Sequence, residues 1–274
     1  MNNLKSKLII LPGWGGNKAT WNEFAELASN DFDIQIIELP CFGDEPCPDK
    51  VWGVEDYVEF VKNKIESLLH PERNEGELVS RSEVEGSHFF VYKQGDSSTP
   101  LRSAQNDVVL LGHSFGGQVA TVFASKYPDM IDKLILTAPA VFRPKKTFRR
   151  VIFNAGAKFG KLIFKIPWIE KGSLWAEDIF HKAIGAKDYH DTSGIKREIF
   201  KNIIRQDRGE EANKITVPTL IVWGTMDGYL PVSDAYKLNK LIKNSKLEII
   251  KNARHGLHLQ TKEKLLEIIK NFVN

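Results

Sequence analysis

A serine flanked by glycines is the residue of this sequence best placed for covalent chemistry. The run Val108-Val109-Leu110-Leu111-Gly112-His113-Ser114-Phe115-Gly116-Gly117 passes from a short aliphatic segment through G-x-S-x-G into a helical pattern. A strand–turn–helix with serine at the turn lifts the hydroxyl above the strand end. The turn has to be sharp, and side chains at 112 and 116 would crowd it, so glycine at both positions relieves the strain. The first N–H groups of the following helix then favour negative charge at the same spot. A serine in this setting can also be a plain helix cap, but the aliphatic strand before it points to a nucleophile. Because a serine hydroxyl is weakly nucleophilic at neutral pH, it needs a base, and the base needs an orienting group.

Candidates for both lie after later strand-like runs. Trp223-Gly224-Thr225-Met226-Asp227-Gly228 follows TLIVW, and a carboxylate just past the carboxyl end of a parallel strand shares the rim with Ser114. Asp227 is the expected acid, the alternative being an Asp-Gly pair that only closes a turn. Ala253-Arg254-His255-Gly256 follows the next strand-like run, 28 residues beyond Asp227 (255 minus 227), which leaves room for one helix and one strand. His255 can take the Ser114 proton on one ring nitrogen while Asp227 holds the other. His258 competes for this role, but His255 is nearer the strand end and is preferred. His113 is read as a neighbour packing beside the serine, on the substrate side. Leu11-Pro12-Gly13-Trp14-Gly15-Gly16 is a glycine-rich loop after the first strand; it lacks G-x-G-x-x-G spacing and so does not fit a dinucleotide site. The expected oxyanion donors are the N–H groups of Trp14 and Phe115, with Gly13 lining the substrate.

Stepping along the chain, short apolar runs at 7–11, 34–38, 108–111, 133–137, 219–223 and 246–250 alternate with helical patterns at 21–29, 54–69, 116–126, 233–242 and 262–272. That alternation predicts an α/β fold, a mostly parallel sheet flanked by helices. Two segments break it. Residues 71–106 are polar and rich in Glu and Ser, with one strand-like island, HFFVY at 88–92, and read as a surface insertion. Residues 140–209 are aromatic and basic, with a helical pattern at 195–204. The core is therefore expected at 1–139 and 210–274.

A formal charge of +3, from 38 basic and 35 acidic residues, is too near balance to argue for nucleic acid. The apolar run 8–11 is too short for a signal peptide, and no stretch reaches the roughly 18 apolar residues of a membrane span. The expectation is a cytoplasmic protein, monomer or dimer, in which Cys41 and Cys47 are free thiols.

Taken together, LPGWGG (11–16), LPCFGDEP (39–46), GHSFGG (112–117), VPTLIVWGTMDGYLPV (217–232) and ARHG (253–256) resemble the α/β-hydrolase superfamily. Ser, Asp and His follow the chain order of that fold. The resemblance implies a helical cap at 140–209 and no cofactor or metal. It also carries departures: Pro12 where members usually have His, and Cys41, Gly43 and Asp44 in a loop that usually reads Gly-x-Gly-x-Ser, which puts a Cys41 thiol near the substrate. The antiparallel hairpin with which many relatives begin is expected to be absent. Serine at the turn argues against dehalogenase or epoxide hydrolase chemistry, which uses Asp there.

Within 143–171, nine basic residues stand against one acid, interleaved with aromatic and aliphatic side chains. Such a segment can steer an anionic substrate or touch an anionic membrane, or can be a cap helix with solvated lysines. The expected substrate is a small molecule, anionic or acyl-chain. The expected activity is carboxylic ester hydrolysis through an acyl-enzyme. C–C bond hydrolysis or acyl transfer by the same triad, and a non-catalytic binding or membrane-surface module, are the alternatives.

Overall fold

A computed structural model describes residues 5–70, 108–142 and 194–274. Within them six strands form one sheet in the order β2-β1-β3-β4-β5-β6: β1 Lys7–Leu11, β2 Asp33–Ile36, β3 Val108–His113, β4 Lys133–Thr137, β5 Thr219–Gly224 and β6 Ser245–Ile250. All five pairings are parallel. Parallel strands need crossovers on the sheet faces; the helices α1 Lys18–Ala28, α2 Val54–Leu69, α3 Ser114–Lys126, α4 Gly194–Ile203, α5 Gly209–Lys214 and α6 Ser233–Leu241 lie in them, and α7 Leu257–Gln260 and α8 Lys262–Val273 follow the last strand.

Side chains that alternate along each strand build two cores. Ile9 and Leu11, Leu110, Leu134 and Leu136, Ile221 and Trp223 pack with α2, α3 and α6. Leu8 and Ile10, Val109 and Leu111, Ile135, Leu220 and Val222 pack on the other face with α1, α7 and α8. Burial on both faces explains why the central strands read as continuous apolar runs instead of alternating ones. Because every strand runs the same way, the ends of β1, β3, β5 and β6 open onto one rim.

Boundaries differ from expectation at places with a local cause. The first helix starts at Lys18, three residues early, because Asn17 accepts from the Thr20 N–H and the Thr20 hydroxyl closes a capping box. The third begins on Ser114 itself. Strand β2 ends at Ile36; Ile37 N–H still reaches Ile10 O at 3.0 Å, but Glu38 turns its carboxylate inward. Two short helices, α5 and α7, carry too few turns to show a period in the sequence. The HFFVY island and most of the expected cap, 143–193, lie outside the described residues.

At the end of β3 the chain passes very close to β1. A Cβ on Gly116 would lie 2.2 Å from Leu11 O and 2.4 Å from Pro12 O, both backbone atoms, and one on Gly112 would lie 2.7 Å from Gly117 Cα. Backbone cannot swing aside as a flexible side chain does. Gly116→Ala is therefore expected to lower unfolding stability by about 3 kcal/mol or more, beyond the ordinary range of point substitutions. Urea denaturation reports this; an unchanged midpoint contradicts so tight a contact.

Candidate active site

Ser114 sits at the junction of β3 and α3 with φ +52°, a left-handed conformation that is strained for a serine. The 12–16 loop lies directly against it: a Cβ on Gly13 would be 3.0 Å from Ser114 Cβ and 3.2 Å from a ring carbon of His113. Among the described residues no acceptor is bonded to the backbone N–H of Trp14 or Phe115, the two groups expected to face an oxyanion. Trp14 is itself held by rings, edge-on to Phe42 at 4.7 Å and to Phe115 at 5.7 Å, and tilted against Phe200 of α4 at 4.8 Å.

Asp227 and His255 are joined. Asp227 Oδ2 accepts from His255 Nδ1 at 2.7 Å, and the Asp227 side chain is fully buried. Its other oxygen, Oδ1, accepts from Tyr229 N–H at 2.8 Å and Leu230 N–H at 2.9 Å, so the buried carboxylate has three donors. A carboxylate only accepts, so Nδ1 is the donor in this bond. The two loops are stitched to each other by Met226 N–H to Ala253 O and by Asn252 N–H to Thr225 Oγ1, both at 2.9 Å. Ser114 Oγ and His255 share no hydrogen bond in this structure. The ring of His113, the residue before Ser114, lies with its centroid 4.8 Å from that of His255.

His258 does not join Asp227. It is buried, stacked flat on Trp21 at 3.9 Å with an interplanar angle of 5°, and its Nδ1 has no hydrogen-bond partner among the described residues. Burial, and to a lesser degree the neighbouring His255, push it down to about 4. His113 is also held well below its ordinary value, by burial first and then by His255 and His258. Its Nδ1 donates to Thr137 O at 3.0 Å. Two neutral imidazoles therefore lie beneath His255.

The expectation of free thiols is corrected. Cys41 and Cys47 are bonded to each other, and no free cysteine remains. A tight turn brings their Cα atoms to 4.1 Å: Cys41 and Gly43 take positive φ (76° and 58°), and Cys41 N–H reaches Glu45 O at 3.2 Å. Cys41 therefore presents no thiol to a substrate. Sequence reasoning also passed over Glu38, buried with both carboxylate oxygens bonded to backbone N–H groups. Burial pushes its carboxyl up, and the donors from Lys18 and Asp44 more than offset this, leaving it below the usual value. An acid at the end of an apolar strand run was the available signal. No cluster of His, Cys, Asp or Glu arranged to hold a metal occurs among the described residues, and none of their helices is long and apolar enough to cross a membrane.

The family model Hydrolase_4, described as serine aminopeptidase S33, matches residues 96–262, more than half of the chain. The chain is 28% identical over 288 residues to a monoacylglycerol lipase, ABHD6, of Bos taurus, covering 98% of this chain and 75% of that protein. It is 31% identical over 197 residues to a proline iminopeptidase of Saccharolobus solfataricus, covering 61% of this chain and 62% of that protein. A lipase-esterase related protein from Clostridium acetobutylicum shares the fold, with a TM-score of 0.61 at 18% identity over 98% of this chain and 95% of that one. The chain belongs to the Hydrolase_4 family of α/β hydrolases, and lipase- and esterase-like proteins are among its relatives.

The neutral His258 has a consequence for stability. Unfolded, it titrates near its ordinary 6.5; folded, near 4. Between those values the unfolded chain binds the extra proton, so stability present above about pH 6.5 is lost as pH falls toward 4. Over the full window this amounts to on the order of 3 kcal/mol. His258→Phe keeps a ring on Trp21 and removes the titration. Urea unfolding at pH 7 and pH 4.5 should show the variant losing about 2 kcal/mol less than wild type. Parallel losses contradict a neutral buried His258.

Proposed function

We propose that the protein is a serine hydrolase of carboxylic esters, with Ser114 as nucleophile, His255 as base and Asp227 as the group that orients it. The observation that carries this reading is the 2.7 Å bond from His255 Nδ1 to a fully buried, triply bonded Asp227, on the rim that also bears the strained Ser114. Asp227 fixes the tautomer that leaves Nε2 free and stabilises the imidazolium that forms during attack.

In the proposed cycle His255 Nε2 takes the Ser114 hydroxyl proton as Oγ bonds to the acyl carbon. The carbonyl π electrons move to oxygen, and the Trp14 and Phe115 N–H groups receive the oxyanion. Collapse breaks the acyl–oxygen bond, and His255 returns the proton to the departing alcohol. Water then attacks the acyl-enzyme: His255 takes one of its protons as the water oxygen bonds to the acyl carbon, collapse breaks the bond to Oγ, and His255 returns the proton to Ser114 Oγ as the carboxylic acid leaves. The chain's own residues supply each of these groups. Trp14 and Phe200, both half-buried and packed on each other, offer an apolar aromatic surface beside the proposed donors, which supports an acyl-chain substrate. The monoacylglycerol lipase among its relatives supports an ester substrate.

A fluorophosphonate probe is expected to label wild type and to leave Ser114→Ala unlabelled. Asp227→Asn should lower kcat on a nitrophenyl ester by roughly 10⁴-fold, since it presents the wrong tautomer. Labelling of Ser114→Ala, or near-normal turnover by Asp227→Asn, sinks the proposal; turnover of diketone acids in place of esters moves it to C–C hydrolysis.

A further inference from the structure

The proposed cycle makes no use of Glu38, yet the surroundings of this side chain are specific. It lies just past β2 and is 6% exposed. Its two oxygens accept from two different segments, Oε1 from Lys18 N–H at 2.7 Å and Oε2 from Asp44 N–H at 2.9 Å. Lys18 is the first residue of α1, immediately after the loop that carries Gly13 and Trp14. Asp44 belongs to the loop closed by Cys41 and Cys47. Gly43 makes the approach feasible: at φ +58° it has no Cβ, and one placed there would lie 2.2 Å from the carboxylate. The same two segments meet again through Phe42, packed edge-on against Trp14.

These contacts bear on the donor loop as a mechanical element. At one end residues 12–17 leave β1, whose Leu11 is registered to Gly112 in the sheet. At the other end they enter α1 at Lys18, where the cap is local and, among the described residues, the Glu38 carboxylate ties the N–H to the rest of the core. A loop whose donor must sit within a few tenths of an ångström of an oxyanion needs both ends fixed. We infer that Glu38 is a positioning residue for the oxyanion hole, clamping the start of α1 to the Cys41–Cys47 loop and thereby holding the Trp14 N–H against Ser114. The inference rests on the ester-hydrolase reading of Ser114.

Glu38→Gln replaces one accepting oxygen with an amide NH₂, which cannot accept. It should lower kcat on nitrophenyl butyrate by about 10-fold or more, against the 10²–10³-fold expected for outright loss of a donor. KM should stay within about two-fold, and the rate of fluorophosphonate labelling should fall in step with kcat, because both need the hole. The acidic limb of the kcat/KM pH profile should not move, since His255 and Asp227 are untouched; a general loosening of the site would move it.

Lys18→Pro offers a second route that spares the carboxylate. Proline is well tolerated at the first position of a helix and removes only the N–H. Asn17 before it is already extended, at φ −141° and ψ −177°, as a residue preceding proline must be. Read against Lys18→Ala, which keeps the N–H and loses the same charge, Lys18→Pro should show the same fall in kcat and labelling rate. Thermal unfolding establishes that each variant is folded, and if Glu38→Gln is not, the Lys18 pair decides alone. Folded Glu38→Gln at wild-type rates, or Lys18→Pro equal to Lys18→Ala, overturns the inference while leaving the reading of Ser114 intact. Labelling that persists in Ser114→Ala overturns both.

Discussion

Everything at the rim depends on one backbone-to-backbone contact, where Gly116 lies against the carbonyl oxygens of Leu11 and Pro12. It lets α3 start on the serine itself, directly off β3. It also brings the first strand's loop against the second turn-forming glycine, so that two unrelated stretches of chain meet around one hydroxyl. The register of β1 on β3, Leu11 opposite Gly112, sets how far the loop projects. A side chain at Gly116 would push the ends of β1 and β3 apart, and with them Ser114 and one of the proposed donors, while one at Gly112 would push α3 off the end of β3.

The other half of the site solves a different problem, supplying hydrogen-bond donors to a carboxylate held out of water. Two backbone N–H groups from the same tight loop and the imidazole N–H supply donors for Asp227, and the bonds between the β5 and β6 loops fix His255 opposite it. Beneath lie two histidines that burial keeps neutral, packed with Trp21. Their uncharged state suits the imidazolium of the proposed cycle, because like charges in a buried cluster repel strongly. Glu38 repeats the principle used at Asp227, a buried carboxylate held by backbone donors, at the far end of the donor loop.

Much of this was legible in the sequence because it rests on local pattern. Aliphatic runs such as VVLLGH and TLIVW mark strands buried on both faces, and a reactive residue type just past each of them lands on a common rim whatever the details. The rest depends on contacts between distant segments. Nothing near Glu38 in the chain announces that Lys18 and Asp44 will both bond to it. The pairing of Cys41 with Cys47 follows from positive φ at two residues of a turn, which composition does not reveal, and an argument from cellular compartment pointed the other way. His258 and His255 look alike three residues apart; the Trp21 ring, far off in sequence, is what separates them. Helix α1 began early because of a capping box whose second member is a threonine in place of the more familiar Glu or Gln.

The family supplies a hydrolase scaffold, and its members act on different bonds, so the claim that matters most is covalent chemistry at Ser114. The most direct measurement is acid quench of the enzyme during turnover of a nitrophenyl ester, followed by digestion and mass analysis. The account predicts an acyl adduct on the peptide bearing Ser114 that forms and decays with turnover. Steady hydrolysis with that peptide unmodified, and with Ser114→Ala as fast as wild type, would contradict it.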